Sequence, residues 1–243
     1  MIDSLFRFSL SQTTLIAFFL GALCIFLSYL ILVLGNNRIA RFILRDMITI
    51  VGLGVLLPVS WIKFNGLSFN TFGLPGENWT WALLANVVLA SLFATRFHFT
   101  VKKRGQIVDW PSKAGTISYL MVGVLFETLF FYSFLRQLFE ESFGIIPALL
   151  LTSIFYSLHH VGLEEQMKDA EPRKEYTKLF FVGILYSATF RVFNSALAIF
   201  PFFLGVGVIY DLIIEKQDTQ LSGKIAVVTL LLMITGAGII LYL

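Results

Sequence analysis

Residues Phe126 to Leu135 read F-E-T-L-F-F-Y-S-F-L and set one carboxylate, Glu127, in the middle of an apolar segment long enough to cross a bilayer. An acidic side chain at the centre of a spanning helix costs roughly 2.5–3.5 kcal/mol on insertion scales, so it is seldom there without a use. A second landmark, His159-His160, closes the next apolar segment. The composition around them is that of a polytopic membrane protein: 57% of the 243 residues are hydrophobic and 14% charged, where soluble domains carry about 25% charged residues. The expectation is one transmembrane domain over residues 1–243, with membrane lipid as its surroundings and no nucleic-acid partner. The single Cys24 excludes an intramolecular disulfide.

Working outward, the chain reads as an all-α bundle of about eight transmembrane helices, each near the ~20 residues that span the hydrocarbon. The segments are Thr13–Leu34, Ile43–Trp61, Trp79–Phe97, Ala114–Phe139, Phe143–His160, Leu179–Phe190, Ser195–Ile214 and Lys224–Leu243. Lys63 to Glu77, rich in Asn and Gly and closed by Leu74-Pro75-Gly76, reads as a loop. Trp79 and Trp81 open the third segment where interfacial aromatics belong. Most of the 18 Lys and Arg residues fall in the connections after segments one, three, five and seven. The positive-inside rule therefore predicts both termini on the non-cytoplasmic side.

Few ionisable groups lie within the segments: Asp46, Glu127, the histidine pair and Asp211. Asp46 follows Arg45 and reads as an interfacial ion pair; Asp211 sits near the end of segment seven, where an interfacial acid is ordinary. Residues four apart share a helix face, so Thr128 and Tyr132 should form a neutral polar pair beside Glu127, as Phe155 and His159 share a face on the next helix. A glutamate with one or two histidines is the minimum set for activating a water, by general base or through a metal. His160 lies about 100° round the helix from His159, so it joins only if the helix end unwinds.

The stretch E-T-L-F-F-Y-S-F-L from Glu127 to Leu135 resembles the first motif, E-E-x-x-F-R-G-x-L, of the CAAX-protease and bacteriocin-processing (CPBP, abortive-infection-like) family of intramembrane peptidases. Thr128 stands for the second glutamate and Tyr132 for the arginine. S-I-F-Y-S-L-H-H, Ser153 to His160, is similar to the second motif, F-x-x-x-H, through Phe155 and His159, and Phe72-Gly73-Leu74 matches the glycine-leucine turn before segment three. The third motif, a histidine with Asn or Asp four residues on, is not reproduced. With Asp211 in the second slot the histidine slot holds Gly207; counted from Pro201 the slots hold Gly205 and Ile209.

The resemblance implies a CPBP-like core over about residues 114–214 and an endopeptidase in which Glu127 activates water. His159 would stabilise the oxyanion or, with Asp211, hold a metal, while Thr128, Tyr132, His160 and Asp211 would be auxiliary. The implied cofactor is zinc, or none. The implied substrate is a peptide or membrane protein, and the implied location the bacterial plasma membrane. The alternative is a catalytically inactive CPBP-like protein acting as a binding, immunity or assembly partner, which the missing histidine favours. A small transporter with Glu127 as its proton site is a third expectation, with no inverted repeat or paired broken helices behind it.

Overall fold

The computed structural model describes residues 11–34, 37–104, 110–160, 172–207 and 223–242. Among them no strand occurs, and the architecture is an all-helical bundle. Among the described residues four helices are long and apolar enough to cross a membrane: α1 (Gln12–Val33), α2 (Ile39–Phe64), α4 (Ala114–Phe143) and α7 (Lys224–Tyr242). These mark the chain as an integral membrane protein. Helix α3 (Trp79–Arg104) is apolar only over Trp79–Thr95, α5 (Ile145–His159) is shorter, and α6 runs from Pro172 to Phe193.

The helices differ from their expected limits for local reasons. Helix α6 starts among charged residues before the apolar run, so it is longer than the segment Leu179–Phe190 suggested. Segment seven is broken near its start. A 3₁₀ turn at Ala196–Ala198 precedes Pro201, and 202–207 are helical, with 208–222 outside the described residues. The basic stretch from Arg96 extends α3 as helix to Arg104 before the chain leaves the described residues at 105–109.

Helix α1 starts with a reciprocal cap. The Thr14 backbone N–H donates to Ser11 Oγ at 3.3 Å and the Ser11 N–H to Thr14 Oγ1 at 3.1 Å. The Thr14 hydroxyl donates onward to Ser142 Oγ at 2.8 Å, tying this end of α1 to the end of α4. Gly144 joins α4 to α5 at φ +81, ψ −179, a conformation that only glycine adopts without strain. The hairpin turns about a point nearly equidistant along the chain from Glu127 and from the histidine pair, so the two landmarks come level. Helix α1 runs parallel to α5 and antiparallel to α4, filling the groove between them.

Two stretches are wound as π-helix, Phe42–Leu56 in α2 and Thr128–Leu135 in α4. Their backbone bonds reach five residues back: the Leu57 N–H donates to Gly52 O, and the Arg136 N–H to Phe131 O. The two stretches pack on each other, and Gly54 makes the approach possible, because a Cβ there would lie 2.6 Å from the Phe126 ring. The glycine-leucine turn after the 3₁₀ stretch Phe69–Phe72 is held to the π-wound part of α4, with the Ser133 hydroxyl donating to Phe72 O. It is also held to the broken segment, where the Ala196 N–H donates to Gly73 O at 2.8 Å.

Candidate functional site

Glu127 sits near mid-length in α4, where α winding passes into π winding, with its side chain 14% exposed. The expected Thr128–Tyr132 pair does not form. Thr128 donates to Val124 O at 2.8 Å, and π winding takes Tyr132 off the face that four-residue spacing assigns it in an α-helix. Tyr132 is fully buried, packed on Tyr156 and Tyr186 at 5.4 and 5.9 Å between ring centroids. Its hydroxyl finds no hydrogen-bond partner among the described residues.

The histidines are placed by the end of α5. The helix stops at His159, and His160 caps it at φ −80, ψ 18, outside helical geometry. The end has therefore released His160, and both rings meet Glu127. His160 Nδ1–H donates to Tyr156 O at 2.8 Å, and His160 Nε2 lies 3.5 Å from Glu127 Oε1. His159 Nδ1 faces two side chains of α1, Ser28 Oγ at 2.8 Å and Cys24 Sγ at 3.7 Å. The Ser28 hydroxyl has one proton, and Cys24 O accepts it at 2.9 Å. The network thus assigns His159 the tautomer in which Nδ1–H donates to Ser28 Oγ and Nε2 keeps its lone pair. Phe126 and Phe131 flank the His159 ring at 5.6 and 5.2 Å and set its plane.

One donor atom from each of Glu127, His159 and His160 lies within 4.8 Å of the other two. Two imidazoles whose Nδ1–H groups are engaged, plus a carboxylate, make the donor set of many catalytic zinc sites, in which outer hydrogen bonds orient each ring. In a tetrahedral site, ligands about 2.0–2.2 Å from the ion stand about 3.3–3.6 Å apart, so spacings of up to 4.8 Å would have to close by as much as about 1 Å, through rotamer shifts of these side chains. Glu127 and His160 are 14% and 16% exposed, which leaves room for a water. The donor set fits the implied metal.

Of the residues expected to act together, Glu127, His159 and His160 converge; Thr128 and Tyr132 lie beside them, each buried. Asp211, the expected partner of His159 in holding a metal, lies outside the described residues. Gly207 packs on another group: a Cβ at this position would meet the Tyr186 hydroxyl at 3.1 Å, so tyrosine stands next to the slot where the resemblance calls for histidine. Asp46 does lie by Arg45, 3.9 Å away, but it is buried and accepts a 2.5 Å hydrogen bond from Tyr119, while the Arg45 guanidinium stacks over the Tyr119 ring.

No family model matches the chain, and neither does any curated protein or solved structure. The functional reading therefore rests on the site.

Two groups escaped the sequence. Ser28 and Cys24 lie on α1, one turn apart, and their spacing was the available signal. Arg136, Glu140 and Arg191 form a charge cluster that is buried at Arg136 and opens to the surface at Arg191. Arg136 is fully buried and pairs with Glu140, and Arg191 Nε lies 2.8 and 3.0 Å from the two Glu140 carboxylate oxygens. The four-residue spacing of Arg136 and Glu140 was legible; the third partner on α6 was not.

Proposed function

We propose that this integral membrane protein is an intramembrane endopeptidase, a divergent relative of the CPBP family, with about eight spans and both termini non-cytoplasmic. The observation that carries this reading is the convergence of Glu127, His159 and His160 at one level of the bundle, each histidine oriented by a hydrogen bond at Nδ1. His159 and His160 would hold a zinc ion through Nε2, and one Glu127 oxygen would complete the donor set. When bound, the ion supplies Lewis-acid polarisation of the substrate carbonyl and a lowered pKa for its water.

The chain's own residues do the rest. The free oxygen of Glu127 accepts a proton from the water that attacks the peptide carbonyl, and passes it to the amine nitrogen as the C–N bond breaks. Ser28 and the Tyr156 carbonyl hold the two imidazoles in the tautomer this requires. Phe126, Phe131 and Tyr156 wall the site with rings and limit access of bulk water.

The test is metal content of the purified protein by mass spectrometry, with His159→Ala and His160→Ala alongside, followed by proteolysis of membrane-embedded peptides. Near-stoichiometric zinc lost in both variants, and cleavage lost in Glu127→Ala, is the expected result; metal-free protein with cleavage indifferent to Glu127→Ala overturns the reading. A second reading, a non-catalytic binding or assembly partner, draws on the tyrosine contact at Gly207. It predicts a membrane partner that copurifies stoichiometrically whether or not Glu127 is replaced by Gln.

A further inference from the structure

The Arg136–Glu140–Arg191 cluster lies away from the reactive groups, yet it touches the element that aims them. The Arg136 backbone N–H reaches past Tyr132 O to Phe131 O, the five-residue step of π winding. Tyr132 O, the acceptor that an α-helix would pair with that N–H, instead receives the Arg136 side chain, with Nε donating at 2.8 Å. The guanidinium thus caps a carbonyl at the place where π winding returns to α. Its position is fixed from two sides: Nη1 pairs with Glu140, and the group lies over the Phe190 ring at 5.3 Å from its centroid. Glu140 is gripped in turn by Arg191 of α6. None of these contacts involves the histidines.

From these contacts we infer that Arg136, Glu140 and Arg191 are positioning residues, a charge clamp that holds Thr128–Leu135 in π winding and so points Glu127 at His159 and His160. The geometry makes the orientation sensitive to the winding. Each π turn takes nearly one residue more than the 3.6 of an α turn. Rewinding Thr128–Leu135 as α-helix would therefore swing Glu127 by roughly two-fifths of a turn relative to Arg136–Phe143. Such a swing carries the carboxylate off the face that His160 Nε2 meets. Arginine suits the task because its fork caps a carbonyl and pairs with a carboxylate at once, which a lysine ammonium on a flexible stem does not do in a fixed plane.

The inference deepens the metal-site reading above and is tested apart from it. In the full-length protein in detergent, Arg136→Met/Glu140→Met removes both buried charges of the clamp and leaves only the Arg191 cation, which is 38% exposed and can be solvated, and Arg136→Lys keeps the charge but loses the fork. Two quantities are read beside Tm: hydrogen-exchange protection of the peptide covering Thr128–Leu135, and zinc affinity by competition with a chelator. The expected result is a double variant with Tm near that of the parent, faster exchange in Thr128–Leu135, and zinc affinity lower by about 10- to 100-fold. Arg136→Lys should move both readouts the same way by less. Exchange in Thr128–Leu135 equal to the parent's in both variants overturns the clamp, whatever zinc does. A parent protein that binds no zinc overturns the metal reading instead, and the exchange result alone then decides the clamp.

Discussion

Two groups of ionisable side chains share α4, and they are held in opposite ways. Arg136 has a carboxylate, a carbonyl and an aromatic face within contact, and its partner Glu140 has a second cation. Glu127 has His160 Nε2 at 3.5 Å, while the Nδ1 hydrogen bonds of His159 and His160 go to Ser28 and to Tyr156 O. The first group is fully specified by the fold. The second is arranged so that one donor atom from each of its three residues lies within 4.8 Å of the other two. A buried cluster whose hydrogen bonds close on themselves serves structure, whereas one whose lone pairs converge on a shared point is built to receive something.

The comparison breaks most sharply at Glu140. Glu140→Ala would leave Arg136, 0% exposed, without a counter-charge. The expected loss is about 3–5 kcal/mol, read as a fall in the denaturation midpoint in detergent, while Arg136→Met/Glu140→Met should cost far less. If the single and double variants lose equal stability, the closed-cluster description is wrong.

Next in size is the hairpin that brings the two landmarks level. Gly144→Ala forces a side chain into a φ of +81 with ψ near 180°, with an expected cost of about 1–3 kcal/mol. Because Gly144 sets the height of α5 against α4, zinc affinity should fall along with Tm. Unchanged affinity at reduced stability would show that the histidine end is fixed by α1 and α6 without the hairpin.

What could be read in advance follows from which interactions are local. Glu127 stood out because an isolated acid in an apolar run is costly, and His159 because it closes such a run; both are properties of one segment. The place of His160 was obscured by assuming that α winding continues past His159, where the chain instead leaves helical geometry. The Thr128–Tyr132 pair failed for a related reason: four-residue spacing defines a face only in an α-helix, and this stretch is π-wound. Arg136 and Arg191 fall at segment ends away from the connections that hold most of the Lys and Arg residues, where solvated cations are ordinary. What joins them is Glu140 bridging α4 and α6, a contact between helices distant in sequence. Ser28 and Cys24 were hidden similarly, since nothing in α1 announces that its polar atoms face a histidine on α5.

A smaller effect on stability is expected at Ser28. Ser28→Ala removes one neutral hydrogen bond to His159, worth about 1 kcal/mol, and frees the ring to adopt the other tautomer. Zinc affinity should fall about 10- to 100-fold, as when an outer-shell partner of a ligating histidine is lost. Ser28→Thr, which keeps the hydroxyl, should restore most of it. Equal zinc affinity in Ser28→Ala and the parent would remove α1 from the site.

The smallest stability effect belongs to the residue on which the functional reading depends most. Glu127→Gln keeps the shape and polarity of the side chain and takes away a charge that has no closed set of partners, so the denaturation midpoint should move by less than the equivalent of about 1 kcal/mol, in either direction. Activity and zinc binding, in contrast, should both collapse, because an amide is a poor metal ligand and accepts no proton from water. This separation of stability from function is the opposite of what Glu140→Ala is expected to produce, on the same helix and with the same kind of side chain. A Glu127→Gln protein that loses several kcal/mol would mean that Glu127 is a structural anchor like Glu140, and that the convergence with His159 and His160 serves packing.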